Sequence, residues 1–443
     1  MKRTAFSFVM MLALAGCNRT EPVAEKSADM VEKSPQQRLT EASTDQEFAE
    51  SLAALTELAQ QYEAELAFEP AANVWKAIDA ALSGKYGQES WQAANARLSA
   101  MIADMQMGFT GEQRHDSLRI QELQRQLSDA VTQGDHAAAV KIAEVSLEVT
   151  EELFGENSPL VGKQLLELGT LFQQTGQPEL AIKALNRAKN ILKTTFHAKH
   201  PDIEQLHSEL GMIYLDRGSI GPAISNLKTA TALAAELWGE DSLNYAREAN
   251  ELAVAYQQAG QPDTSLKIHQ AAELIRMRKL GPEHALVAHS RLNAGIACID
   301  LKDYEMAKNY LSQAIAGFQS QNQLEAHLLD RARGKLATVH MLTGNPELAE
   351  PLLDEMLRSQ VLQFGIDHAE IAELQYRLGI ALAKQGKYDR AEPILRQALA
   401  TQQRHLEPGH PKMMLSMKAM ALLLQRTHRE AESRQVLQEI ERV

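Results

Sequence analysis

The chain has 443 residues and a formal net charge of −13, with 45 Lys and Arg against 58 Asp and Glu. That excess of acid argues against nucleic acid as the main partner, because neutralising phosphates needs a basic surface. Two cysteines in 443 residues exclude a fold stapled by disulfides.

The N-terminus reads as an export signal. Lys2 and Arg3 precede a short apolar run, Ala5 to Ala15, which ends in Leu14-Ala15-Gly16-Cys17. The run falls short of the roughly 20 apolar residues that a spanning helix needs. The four-residue ending resembles the lipobox of bacterial lipoproteins, with small residues ahead of a cysteine that accepts the lipid. The resemblance implies that residues 1–16 are a signal peptide and that Cys17 is lipidated. An ordinary secretory signal that happens to contain a cysteine is the alternative. Loss of Lys2 and Arg3 takes the net charge to about −15. Asn18 stands where an aspartate would retain such a lipoprotein in the inner membrane. The resemblance therefore implies an anchor at the periplasmic face of the outer membrane; inner-membrane-anchored and periplasmic are the alternatives. With Cys17 lipidated, Cys298 has no disulfide partner within the chain. It shares a repeat position with Phe172, Tyr214 and Tyr256 and reads as a buried thiol.

Together with Cys17, residues 18–44 complete a tether segment, 17–44. They are polar and nearly free of large apolar groups, so they cannot offset the entropy of ordering and read as disordered. As a coil the stretch reaches roughly 30 Å.

Residues 45–115 read as an irregular helical cap. Phe48, Leu52, Leu55, Leu58, Ala59 and Tyr62 recur every three or four residues and mark one helix face. Pro70 opens a second helix with Val74, Trp75, Ile78 and Leu82 inside. Ser90 lies 68 residues before Ser158, so a degenerate repeat is followed by an extra helix, about Trp91 to Met107.

Residues 116–443 keep a 42-residue beat. Ser158, His200, Ser242, His284, Ala326, His368 and His410 are spaced by 42. So are Gly169, Gly211, Ala253, Gly295, Ala337, Gly379 and Ala421, and again Gly134, Gly176, Gly218, Gly260, Lys302, Gly344 and Gly386. A constant period in this range marks a solenoid of stacked units. The first row supplies helix N-caps, the second lets two helices approach closely, and the third turns the chain between them. Gly155, Gly239, Gly281 and Gly365 are expected to end the second helix of each pair in the same left-handed conformation. The last pair fits with a deletion of about two residues before Arg426-Thr427, and a polar tail, Glu439 to Val443, completes a C-terminal cap.

Leu210-Gly211-x-x-Tyr214 followed by Gly218 and Ala223, and Leu378-Gly379 followed by Gly386 and Ala391, resemble the tetratricopeptide repeat. The longer beat with His-Pro at helix starts (His200-Pro201, His410-Pro411) is similar to the 42-residue variant of kinesin light chains. The motif tryptophan is absent, with Leu165 or Leu374 in its place. The resemblance implies an all-α fold: a right-handed superhelical solenoid of antiparallel helix pairs, about 8–9 repeats long. It also implies a concave groove, lined by the first (A) helices, that binds protein segments.

No phosphate loop, nucleophile elbow, H-E-x-x-H or zinc-spaced cysteine pair is present. No catalytic residue, metal or cofactor is assigned, and the chain reads as a non-enzyme. In the resembled family the groove residues lie three and two positions before the small residue of helix A. The candidates here are Glu167, Glu209, Asn250, Glu251, Asn293, Lys335, Tyr376, Arg377 and Lys418, joined by Arg247 one turn earlier. Asn250 and Asn293 resemble asparagines that hold a peptide backbone. The two-before row runs Glu, Glu, Glu, Asn, Lys, Arg, Ala, an order that would fix the direction of a bound segment; solvated or inter-repeat residues in accidental order are the alternative. The leading expectation is an outer-membrane lipoprotein adaptor for envelope proteins. A self-associating structural component and an enzyme with a site in the N-terminal region are the alternatives.

Overall fold

The computed structural model describes residues 37, 39, 44–196, 199–320 and 326–441. The stretch expected to be a signal peptide, Cys17, nearly all of the expected tether and residues 321–325 lie outside the described residues. The chain divides after Glu240 into two compact units.

The first unit contains α1 (Asp45–Ala64), α2 (Phe68–Tyr86), α3 (Trp91–Met107), α4 (Gly111–Gln133), α5 (His136–Phe154), α6 (Pro159–Gln174), α7 (Pro178–Thr195), α8 (Pro201–Asp216) and α9 (Ile220–Trp238). The second contains α10 (Leu243–Gln258), α11 (Pro262–Leu280), α12 (Ala285–Asp300), α13 (Tyr304–Gln319), α14 (Ala326–Leu342), α15 (Pro346–Phe364), α16 (Ala369–Lys384), α17 (Tyr388–His405), α18 (Pro411–Arg426) and α19 (Glu430–Glu441). No strand occurs among the described residues. Consecutive helices pack as pairs, α6 on α7, α8 on α9, α12 on α13, α16 on α17, so the chain is an all-α solenoid of helix pairs.

The spacing markers act locally as the sequence predicts. The Ser158 hydroxyl accepts from the Leu160 N–H, and the Ser242 hydroxyl from Tyr245. Where histidine takes the position, Nδ1 is the acceptor: from Asp202 at His200 (3.1 Å), Leu286 at His284 (3.1 Å), Glu370 at His368 (3.3 Å) and Lys412 at His410 (3.2 Å). An imidazole can fill this role only with Nδ1 unprotonated.

Two turn expectations change. Gly155 ends α5 at φ 84°, ψ 150°, and Gly239, Gly281 and Gly365 adopt nearly the same angles. This is the extended mirror region rather than the left-handed helix, and it reverses the chain without a second capping bond. In the last pair no deletion is needed. His428 lies 42 residues after Gly386 and takes φ 59° there, as Lys302 takes φ 61° in its own turn. The beat continues to the C-terminal helix; a side chain stands where glycine was expected.

The extra helix is α3, N-capped by Ser90. It packs on α2 and sends Leu98 into the core built by α4 to α8. Its first turns also reach later pairs. Asn95 Oδ1 accepts from Lys163 Nζ at 2.8 Å, and the Trp91 ring meets Trp238 and His200 edge-on at 5.5 and 6.5 Å. Aromatic contact of this kind adds to area burial, so the insertion ties α2 to α6, α8 and α9.

Candidate functional site

The A helices carry the candidate residues, and packing separates them into two sets. The three-before row is largely an interhelical row: Leu166, Ser208, Asn250, Leu292 and Gly334 are buried, whereas Tyr376 is half-buried and Lys418 exposed. The two-before row is mixed. Glu167 is exposed, Glu251, Lys335 and Arg377 are half-buried, and Glu209 and Asn293 are buried.

In the first unit Glu167 is open to solvent, yet surrounding protein raises its carboxyl above the usual range through lost hydration. Glu209 was expected beside it, but only 5 % of its surface is exposed.

In the second unit the asparagines do not face a groove. Asn250 is 1 % and Asn293 3 % exposed. The Asn250 carbonyl oxygen accepts from His269 Nδ1 at 2.9 Å and from Asn293 Nδ2 at 3.4 Å. The reason lies in the B helix. His269 occupies the register position of Leu185, Leu227, Leu311 and Leu395, so a polar ring sits in the core between α10 and α11. It needs a partner because an unmade buried hydrogen bond is costly, and Asn250 supplies one. The expectation that Asn250 and Asn293 hold a ligand backbone is therefore corrected: Asn250 satisfies an internal imidazole and Asn293 donates to Asn250.

The basic candidates do converge. Arg377 Nη2 donates to the Gly334 carbonyl and the Thr338 hydroxyl, both at 2.8 Å, which fixes its guanidinium against α14. Burial lowers the Lys335 ammonium; Arg331 and Arg377 push it further down and Asp300 opposes them. On α12, burial brings the His289 imidazole to about 4, with Arg276, Arg331 and His327 adding to the effect. Arg276, 3 % exposed, donates to the Leu286 and Ala246 carbonyls and to Ser290 Oγ at 3.1, 3.4 and 2.8 Å. Burial lowers it to about 10, Glu251 opposing and Arg247 adding. Arg331, Lys335 and Arg377 on the A helices α14 and α16 thus gather in one place, with Asp300 and Glu373 opposing, while Arg276 on α11 is held inside beside His289. Arg247 is half-exposed and bonded through Nε to the buried Glu248 carboxylate at 2.7 Å.

Arg276, His289 and Arg331 were missed from the sequence because the candidate rows follow family register alone. A signal was available in His269, the histidine standing in a leucine row.

A stacked array of helix pairs, with A helices carrying the polar variation, defines the class of repeat scaffolds that bind proteins. The tetratricopeptide repeat profile matches residues 128–194, 245–320, 328–404 and 370–443, more than half of the chain. The chain belongs to the tetratricopeptide repeat family. It is 22 % identical over 344 residues to human tetratricopeptide repeat protein 23, covering 76 % of this chain and 74 % of that one. Among solved structures it is similar to the apo quorum sensor NprR from B. thuringiensis (TM-score 0.53, 15 % identity, covering 83 % of this chain and 96 % of that one). It is also similar to a signal transduction ATPase with a tetratricopeptide repeat sensor from Pyrococcus horikoshii (TM-score 0.55, 15 % identity, covering 86 % of this chain and 52 % of that one). The kinesin light chain TPR-like repeats from Podosopora anserina match at TM-score 0.41 and 22 % identity, covering 45 % of this chain and 93 % of that one. Proteins of this family are in general protein-interaction scaffolds.

Proposed function

We propose that the chain is a lipid-anchored adaptor that docks an acidic, extended segment of a partner protein along the basic A-helix row of its second unit. The observation that carries the reading is the gathering of cations around Lys335: Arg377 is fixed against α14 by the Gly334 carbonyl and the Thr338 hydroxyl at 2.8 Å, and after burial both Arg331 and Arg377 disfavour the Lys335 charge, with Asp300 opposing. A carboxylate arriving from a partner would relieve that repulsion and gain charge-assisted hydrogen bonds. The occupant is then an acidic stretch, since like charge would be repelled.

In this reading Cys17 carries the lipid, residues 18–44 form the tether, and the repeats face the periplasm from the outer membrane of a bacterium. The partners are envelope proteins. The support is the Leu14-Ala15-Gly16-Cys17 ending and Asn18. More than one acyl chain on the cysteine would hold the body firmly, because a single chain binds membranes only marginally.

The test is crosslinking in the intact envelope, comparing the native chain with a Lys335→Glu, Arg377→Glu, Lys418→Glu variant. Loss of defined crosslinked partners, with melting unchanged, is expected; an unaltered set overturns the basic-row reading. Membrane fractionation of a Cys17→Ser variant tests the anchor separately, and continued sedimentation with the outer membrane would overturn it.

A further inference from the structure

A further feature lies in the first unit, among α7, α8 and α9. A cavity of about 280 Å³ opens over α8 between α7 and α9, lined by Lys193, Ile203, His207, Thr229 and Leu233. This is just below the range of about 300–1,000 Å³ for ligand pockets. Its floor is apolar, with Ile203 and Leu233 3 % and 8 % exposed. Its lip is cationic: Lys193 lines it and Lys189 lies one helical turn earlier on α7, both close enough to act on the His207 ring.

The 42-residue beat explains why the cavity exists here. One repeat earlier, the positions of Lys193 and Thr229 are held by Glu151 and Arg187. Those two form an ion pair between α5 and α7, and Arg187 also reaches the Glu156 carbonyl, so that cleft is bridged. Between α7 and α9 the carboxylate has become an ammonium and the guanidinium a short hydroxyl. Lys193 and Thr229 cannot pair, and the bridge is gone. Among the described residues neither Lys189 nor Lys193 is in an ion pair, and burial and Lys193 both disfavour the Lys189 charge.

The His207 ring is held by a hydrogen-bonded chain. Asn226 Nδ2 donates to the Pro222 carbonyl, which turns its Oδ1 toward His207, and His207 Nδ1 donates to it at 2.9 Å. Nε2 is then the ring nitrogen left for other contacts.

We propose that this cleft binds the carboxyl-terminal residue of a polypeptide, an apolar side chain entering over Ile203 and Leu233 while the terminal carboxylate meets Lys189 and Lys193. The cavity holds one side chain rather than a longer segment. Its two chemistries are adjacent, as an α-carboxylate and a side chain on the same carbon are. An Asp or Glu side chain offers the charge without the apolar group. A free amino acid carries an ammonium that the two lysines repel, whereas a peptide terminus presents a neutral amide there.

The experiment uses the full chain and a fluorescein-labelled decapeptide of Gly and Ser ending in Leu, as the free acid and as the carboxamide, followed by anisotropy. The free acid is expected to bind at least about tenfold more tightly than the amide, since a charge-assisted contact is removed. In a Lys189→Glu, Lys193→Glu variant the difference should vanish while the circular-dichroism melt stays unchanged. A Leu233→Trp variant, which fills the cavity from its floor, should weaken both peptides. Equal binding of acid and amide, or binding of neither, overturns the proposal. Displacement by decanoate at lower concentration than by N-acetyl-leucine also overturns it, in favour of an acyl chain.

Discussion

A Cβ placed on Gly211 would lie 2.6 Å from Cγ of Leu227, in the middle of the α8–α9 contact. Leu227 has no exposed surface and its own backbone nitrogen is 3.3 Å from the same point, so it cannot retreat. The relationship repeats at Gly169 with Leu185, Gly295 with Leu311 and Gly379 with Leu395. Gly211→Ala is therefore expected to destabilise the chain by about 1–3 kcal/mol. Gly221→Ala, where no atom lies within 4 Å of the added carbon, should be neutral or stabilising by up to about 1 kcal/mol. Urea denaturation of the two variants checks the contrast, and equal effects would contradict it.

His269 and Asn250 form the polar counterpart of those leucine contacts. Replacing Asn250 by Leu removes the acceptor of a fully buried imidazole and should cost about 1–3 kcal/mol. The double change Asn250→Leu with His269→Leu restores the leucine row and should recover most of the loss. A double-mutant cycle by thermal melting reads the coupling; strictly additive losses would show that the hydrogen bond contributes nothing.

Three buried histidines set a pH dependence. Burial holds His200 at about 4 and His269 at about 3, and burial with cationic neighbours holds His289 at about 4. Their ordinary value is 6.5, so between these limits the unfolded chain binds more protons than the folded one. Stability is then fully present above about pH 6.5 and lost as pH falls toward 4. For His200 and His269, which are essentially unexposed, the effect is on the order of 3 kcal/mol each. The denaturation midpoint should be lower at pH 5 than at pH 7.5, and His269→Leu paired with Asn250→Leu should reduce the difference. A flat profile over this range would refute the assignment.

Lys302 holds φ 61° where every other turn of that row except the one at His428 uses glycine. A side chain in this conformation costs on the order of 1–2 kcal/mol, so Lys302→Gly should raise the melting temperature by a few degrees. A lowered melting temperature would mean that its side chain contributes more than its backbone costs.

The sequence by itself determined the architecture. Caps, turns and small mid-helix residues act through neighbours three or four positions away, so a 42-residue recurrence of Ser158, Gly169 and Gly176 suffices to specify helix, contact and turn. Even the position that a reader would shift, His428, obeys the count. Cys298 in an aromatic row was also legible, and it is buried with no exposed surface.

Tertiary packing alone decided which polar residues meet solvent. Asn250 and Glu251 are adjacent in sequence, yet one is buried by an imidazole from α11 and the other is not. Arg276 is drawn inward by three acceptors on α10 and α12. The cleft beside Lys193 exists because its register partner, 36 residues on, is Thr229 rather than an arginine. The cause is common to all three. Burial and pairing depend on the size and charge of side chains delivered by a neighbouring helix, and no local rule carries that information.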